Sequence, residues 1–435
     1  MDDTCSCVDS ALDLFTPPFK QSGVVDGNWI EIRPVNSTNN HGALEFKLEC
    51  SGEDFTDLAH SYIKLKVRIV KRDGSPMTNA DNVGFVNLPV ASLFRQVDLY
   101  LGDRLVSSSN DSYPYRAIFE TLLSHNNDVI ETQLSNGLFF KDDAGRMNET
   151  DIVGENVNSG YLQRFNLTQS GKAVELIGRV YSDLFNQERY LVNNIRVTLK
   201  FHPSKPEFCL LSNMENPDYK IVIDDAALFF RKVTLASFMY NQINKSLMNK
   251  NIRYPITRIT HKTFSLGGNQ FNPSIDNVFD GVLPSRIVIG MVRNSAYNGN
   301  YRENPFNFEH FNLSSICPYI DSKPVPARPI LLDYENDLYL EGYVSLFNSM
   351  DKLFHNDTNC IKRAEYPLGY SLLGFDFTPS ISSGDSFDVT RRGSMRIQFN
   401  FKRALPTTIN VILYAEFQNV IEINSGRNVT TDYTI

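Results

Sequence analysis

The 435-residue sequence holds a single tryptophan, and none of its apolar runs approaches the roughly 18–20 residues that a membrane-crossing helix needs. Its opening, MDDTCSCVDS, has neither the basic nor the apolar region of a secretion signal. A soluble protein made in the cytosol is therefore expected. The six cysteines (Cys5, Cys7, Cys50, Cys209, Cys317 and Cys360) form no C-x-x-C pair and have no histidine at zinc-finger spacing, which argues against a structural metal. Excess positive charge is also missing. A formal charge of −8 argues against a body that wraps nucleic acid, because that binding depends on Lys and Arg displacing counterions from phosphates.

Catalytic patterns are equally scarce. There is no G-x-S-x-G elbow, no G-x-x-x-x-G-K-[ST] phosphate loop and no G-x-G-x-x-G fingerprint, and Ser265-Leu266-Gly267-Gly268 reads as a plain loop. Seven histidines (His41, His60, His125, His202, His261, His310 and His355) are dispersed, none at the i, i+4 spacing of a helical zinc pair, and each reads first as a surface or interface residue. The carboxylate pairs Asp142-Asp143 and Asp224-Asp225 offer acid/base chemistry only if held close. Neighbours on a strand point to opposite faces, so solvated charge is the reading preferred. No catalytic, cofactor-binding or metal-binding residue is assigned, and no cofactor is expected. Lys245, Lys250, Arg253, Arg258 and Lys262, with Arg391, Arg392 and Arg396, read as an inward genome-facing surface or as ordinary strand-edge charge, the second being favoured. Sequons such as those at Asn36, Asn148, Asn166, Asn356 and Asn428 matter only in a secreted chain.

What the sequence has in quantity is aromatic side chains and turns. Thirty Phe, twenty Tyr, 24 Gly and 20 Pro suit a β-rich protein, and 42% hydrophobic residues suffice for ordinary cores in a chain about two to three domains long. Between Tyr62 and Val70, Ile63, Leu65, Val67 and Ile69 alternate with Lys64, Lys66 and Arg68, the period of a strand with one wet face. Leu44, Phe46, Leu48 and Cys50 alternate with Glu45, Lys47 and Glu49 in the same way. Helical stretches are few: Tyr115–Ser124, entered through Pro114, and a piece around Leu340–Phe354, both read as insertions between strands. The fold class expected is all-β.

One arrangement occurs twice. Val97–Leu101, Gly102-Asp103 and Arg104–Val106 have a counterpart in Ile316–Ile320, Asp321-Ser322 and Lys323–Val325, each a strand, a polar turn, a base and a strand, hence two hairpins. Ile195, Val197, Leu199 and Phe201 precede a long apolar strand at 221–235, as Met395, Ile397, Phe399 and Phe401 precede another at 409–423. A repeat of roughly 200 residues is too long for a solenoid and fits two copies of one β domain. The join is placed near Ser237–Lys250, read as polar and helix-poor. Each half exceeds what eight short strands need, so long loops are expected, with contacts to neighbours as their task.

The order of particular segments resembles a known family. Ser92–Leu101, Tyr113-Pro114-Tyr115-Arg116-Ala117 and Glu120–Leu123 resemble the first jelly roll of the major capsid (hexon-like) proteins of Maverick/Polinton elements and adintoviruses. Leu283–Val292, Ala296-Tyr297-Asn298-Gly299 and Asn304-Pro305-Phe306-Asn307-Phe308 resemble the second. Gly369–Leu372, Phe375–Pro379, Ala404-Leu405-Pro406, Tyr414–Phe417, Ile421–Ile423 and Arg427–Val429 continue the likeness, which begins at Leu12–Phe15 with Pro17-Pro18. The resemblance implies two consecutive jelly-roll β-sandwiches with short helices in loops: an N-terminal arm at 1–26, a first jelly roll at 27–238 and a second at 239–435. It further implies a homotrimer of pseudo-hexagonal outline in an icosahedral virion. Its partners would be neighbouring capsomers and penton-type single jelly-roll or other minor capsid proteins, with at most weak local contact to packaged DNA. Synthesis would be in the host cytosol, with the nucleus a candidate place of assembly. Without a long insertion like the towers of adenovirus hexon, a receptor-binding crown is not expected.

Two other classes stay open on the residues alone. A carbohydrate- or receptor-binding β-sandwich would show a concave aromatic patch, and a glycosidase-like enzyme two facing carboxylates in a cleft. Leu12, Leu14 and Phe15 in the arm have little domain of their own to cover, so the arm is expected to reach a neighbouring subunit or the shell interior. Deleting residues 1–18 should lower particle yield while leaving thermal unfolding unchanged; an unaltered yield would remove the arm from assembly.

Overall fold

In the computed structural model, which describes residues 14, 20–36, 42–50, 52–355, 358–379 and 387–431, the alternating segments are strands with their apolar sides turned inward. The first half supplies eight principal strands: β1 (Val24–Ile32), β2 (Leu44–Leu48), β3 (Phe55–Lys71), β4 (Phe94–Leu101), β5 (Arg104–Ser108), β6 (Val174–Arg179), β7 (Val197–Pro203) and β8 (Tyr219–Leu235). They form two antiparallel sheets ordered β1-β8-β3-β6 and β2-β7-β4-β5.

The second half repeats this with β9 (Ile252–Leu266), β10 (Ser274–Val282), β11 (Arg286–Arg293), β12 (Leu313–Ile320), β13 (Lys323–Pro324), β14 (Leu373–Asp376), β15 (Arg392–Phe401) and β16 (Ile409–Ile423). Its sheets run β9-β16-β11-β14 and β10-β15-β12-β13, the first order with eight added to every strand. Pairing first strand with eighth and second with seventh in two facing sheets, each of which carries one extra short strand in the second half, is the jelly-roll topology, so the chain is a double jelly roll. Among the described strands, none of residues 24–235 pairs with one of 252–431.

The inward faces match the alternation. Ile63, Leu65, Val67 and Ile69 are buried while Lys66 and Arg68 stay exposed, and Leu44, Phe46 and Leu48 are buried around half-buried Glu45 and exposed Lys47. Both expected hairpins are present with two-residue turns, Leu101 opposite Arg104 and Ile320 opposite Lys323. Gly102 supplies positive φ (60°) in the first. In the second, Asp321 (46°) and Ser322 (67°) both lie in the left-handed region, the geometry whose twist matches that of the strands. Asp321 holds this turn by accepting the Ser394 N–H at 2.9 Å.

Helices depart further from expectation. The two foreseen are α1 (Tyr113–Ser124) and α4 (Leu340–Ser349), the latter ending five residues before Phe354. Of the helices not foreseen, the two of ten or more residues are α2 (Ser159–Thr168) and α3 (Ser237–Leu247); the other α-helices described have four or five residues. The join read as helix-poor is thus a helix, with Tyr240, Ile243 and Leu247 at helical spacing turned to the protein and Phe238 left exposed. Its polar composition belongs to the solvent side. Ser265 and Leu266 close β9, and only the glycines after them lie outside it. Cys5, Cys7, His41, Asn356 and residues 1–13 and 15–19 of the arm lie outside the described residues.

The left-handed turn gives a direct stability check. Ser322→Val, which adds β-branching at positive φ, should lower stability by about 1–2 kcal/mol in urea unfolding, whereas Ser322→Gly should not lower it.

Candidate functional site: the seam between the sandwiches

Helix α1 comes from a sequence with apolar residues on every side, and such a helix is stable only when covered all round. Every residue from Tyr113 to Leu123 is buried. One side packs on the first sandwich, where Tyr113 meets Tyr181 edge-on. The other meets the second half: Tyr115 stacks on Tyr297 with centroids 5.6 Å apart, and its edge faces Phe306 at 5.8 Å. One turn on, Phe119 lies over Phe308 (5.2 Å) and against His261 and Tyr414. Gly290 on β11 makes this approach possible, since a β-carbon there would sit 2.7 Å from the Phe308 ring. Buried apolar residues from both halves form one continuous core.

A charged cluster lies within this apolar seam. Arg116 on α1 binds Glu120 one turn along at 2.8 Å and Asp183 at 2.8 Å. Asp183, in the connection between β6 and β7, also accepts the backbone N–H of Ile259 (3.3 Å) and faces Arg258 of β9 at 3.7 Å. Arg258 donates to the carbonyl of Val106 (2.9 Å) and to Thr431 Oγ1 (2.8 Å). Arg258, expected as strand-edge charge, is therefore a buried tie between halves. Removing one member of such a buried set strands the others and costs about 3–5 kcal/mol.

A second polar tie sits further along. Asp142 accepts from Arg164 (2.6 Å) and Asn158 (2.9 Å) of the first half and from Asn304 (3.1 Å) of the second, while Tyr370 donates to its backbone carbonyl at 2.7 Å. Asn158 caps α2, and Arg164 on that helix also donates to the carbonyls of Phe85 and Phe140. Gly160 lets the helix come this close, because a β-carbon there would lie 2.5 Å from the Lys141 carbonyl oxygen. Asp142 was read as solvated charge; with its side chain 1% exposed, it is the centre of this network. Asp143 does face solvent and binds Ser159.

Burial dominates the seam's protonation. It lowers the His261 pKa to about 3, assisted by the nearby Arg116 charge, and raises that of the Glu416 carboxyl, to which Tyr414 donates at 3.2 Å. His261, expected as a surface or interface residue, is thus an interior ring where the two halves meet. Its Nε2 has no hydrogen-bonding partner among the described residues.

The remaining sequence candidates are scattered. Asp224 pairs with Arg68 (3.1 Å) and Asp225 with Arg33, so the adjacent carboxylates serve separate surface pairs. His60 pairs with Asp57 and His202 with Asp98, and His310 stacks on Tyr334 at 3.9 Å. Arg253 bonds Glu422, Arg391 the Phe377 carbonyl, and Arg396 covers the Tyr319 ring. Cys50, Cys209, Cys317 and Cys360 are buried free thiols. Among the described residues no group of three or more His, Cys, Asp or Glu is placed to hold a metal, and no helix is long and apolar enough to cross a membrane. A cavity of about 550 Å³ at the seam, bordered by Asn148, Arg293, Glu309, His310 and Arg403, contains the Arg293–Glu309 ion pair. The arrangement suits holding two sandwiches rigidly together.

Solved structures that resemble this double jelly roll include viral major capsid proteins. A chain of the Sputnik virophage superposes with a TM-score of 0.66 at 10% identity, covering 98% of this chain and 92% of that one. The capsid of the virus PBCV-1 gives 0.57 at 12% identity (97% and 100% covered), and the mavirus major capsid protein 0.55 at 12% (100% and 96%). In sequence, the uncharacterized protein F54H12.2 of Caenorhabditis elegans is 24% identical over 428 residues, spanning 95% of this chain and 99% of that protein. No protein-family model matches the chain.

The seam histidine sets a pH response. Its folded pKa lies below the usual value of 6.5, so the unfolded chain binds the proton first, and stability present above pH 6.5 is lost as pH falls toward 3. Glu416, raised by burial, works in the opposite direction. Urea midpoints should fall from pH 7 to pH 4.5, and His261→Phe, which keeps the ring against Phe119, should reduce that fall by up to about 2–3 kcal/mol. An identical slope in the variant would exclude His261 as its source.

Proposed function

We propose that this chain is a major capsid protein, the structural subunit of an icosahedral viral shell, and not an enzyme. The observation that carries this reading is the duplicated strand order around one continuous core, matched over 98% of the chain by a virophage protein. Two upright sandwiches locked side by side give a subunit whose two halves occupy similar positions, so three copies present six similar units around an axis. A trimeric capsomer of pseudo-hexagonal outline follows, and such blocks tile a shell through their loops and edges.

In this reading the arm comprises residues 1–26 and the jelly rolls 27–238 and 239–435, with the strand register of β1 already begun at Val24. The chain resides in the virion, beside neighbouring capsomers and penton-type or other minor capsid proteins, after synthesis in the host cytosol. Kinship with Maverick/Polinton and adintovirus capsid proteins is supported by where the shared segments fall: Arg116, Glu120, Asn304 and Phe308 all lie at the seam. Contact with packaged DNA is at most weak and local, given the charge of −8.

Native mass spectrometry of the purified chain at micromolar concentration should give trimers, and electron microscopy hexagonal capsomers or shells. Monomers and dimers alone would overturn the proposal.

A further inference from the structure

Helix α3, the join between the sandwiches, borders an open apolar groove. The Asn193 amide donates to the Tyr240 hydroxyl at 3.4 Å and holds the helix on the first half. Met239, Ile243 and Leu247 follow one another at four-residue spacing and, with Ile252 of β9, line a groove of about 390 Å³. Met239 and Ile243 are only half-buried, and Phe238 and Met248 are 57% and 78% exposed at the two ends of the helix. Residues so spaced share one helix face, and an apolar stripe beside a groove takes an apolar segment of another chain.

The rim is basic. Residues 237–251 contain Lys245 and Lys250 and no Asp or Glu. Both lysines are exposed, and among the described residues neither has a carboxylate partner. An apolar segment that carries negative charge is therefore the complementary occupant.

The N-terminal arm fits that description by sequence. Residues 1–19 hold Asp2, Asp3, Asp9 and Asp13 and no Lys or Arg, and Leu12, Leu14 and Phe15 flank the last of these aspartates. The arm also leaves from the right place. Gly23 accepts the Ala236 N–H at 2.9 Å directly before α3, and a β-carbon on Gly23 would lie 3.6 Å from Met239 Cγ. The Gln21 side chain bonds both backbone groups of Val24 and so fixes the exit. The eight residues from Gly23 back to Phe15 reach up to about 27 Å when extended. The eleven-residue α3 is about 16 Å long, so the arm has length to spare. Within one chain, however, Leu14 is 77% exposed and the groove stays open. Exchange between neighbouring copies covers both.

We infer that the groove along α3 receives residues 12–15 from the arm of a second copy of the chain, with Asp9 and Asp13 facing Lys245 and Lys250. Each copy gives one arm and takes one, which ties neighbours together at the α3 end of the molecule. Anchoring at Gly23 raises the effective concentration of the arm once copies stand side by side, so a shallow groove suffices. The contact deepens the capsid reading and rests on it for the presence of neighbouring copies.

In the full chain, a photoreactive benzoylphenylalanine in place of Phe15 should crosslink to residues 239–252, and the product should run at twice the chain mass in denaturing electrophoresis. Lys245→Glu/Lys250→Glu should lower that crosslink at least about tenfold with thermal unfolding unchanged, because both lysines are exposed. Adding Asp9→Lys/Asp13→Lys to the same chain should restore it. Crosslinks to 239–252 confined to single chains would assign the groove to the chain's own arm and overturn the exchange. In a chain that still forms trimers, crosslinks that fall elsewhere, that charge reversal leaves unchanged or that the swap does not restore would overturn this contact and leave the capsid reading standing. A wild type monomeric at every concentration would overturn both.

Discussion

The burial of α1 between two sandwiches is the constraint on which the rest depends. A twelve-residue helix with its side chains taken from water on all sides belongs to neither half alone. Burying one large aromatic side chain is worth roughly 1.5–3 kcal/mol, so Tyr115 and Phe119 alone bind the halves strongly through their contacts with Tyr297, Phe306 and Phe308. Apolar packing holds but does not uniquely orient. Orientation comes from the two polar ties, centred on Asp183 and Asp142, because each carboxylate finds its donors only at one relative placement of the halves. Buried ion pairs add little net stability over apolar packing, and their use here is consistent with fixing register.

This division of labour explains why the irregular connections are long. The sandwiches themselves are alternating strands closed by short turns, and the residues that join them come mostly from between strands: α1 after β5, the Asp142 loop and α2 before β6, the Asp183 turn after it. Placing joining groups on connections leaves the strand pattern of each half intact. Strands β3 and β8, each seventeen residues long and paired along most of their length, then act as stiff members about 55 Å in extent.

The strands were legible because alternation is local: Ile63 to Ile69 declare their face without reference to anything distant. The turns were legible too, since Gly102 and Asp321-Ser322 carry their own backbone preference. The seam was not. Asp142 and Arg164 are ordinary surface residues by composition, and partners distant in the chain, Asn304 and Tyr370 for Asp142 and Phe85 for Arg164, make them interior. Helix α3 was missed because Tyr240, Ile243 and Leu247 are too few to stand out among polar neighbours, although their spacing was visible. For α2 the cap Asn158 with Tyr161 and Phe165 one turn apart was a usable signal. His261 carries no local mark of burial, and its position follows from rings distant in the chain, Phe119 and Tyr414.

The four described cysteines add a different consequence. Each thiol is buried, with Cys360 pushed up to about 11 beside the Leu122 carbonyl of the seam and Cys209 and Cys50 also raised by burial. Disulfide exchange and oxidation proceed through the thiolate, which at neutral pH is then only about one part in ten thousand of Cys360, and solvent oxidants do not reach it. At these positions the covalent connectivity is the same in reducing and oxidising solution. Among the described residues the shape is held by packing with no covalent cross-link, so that part of the fold does not depend on the redox environment.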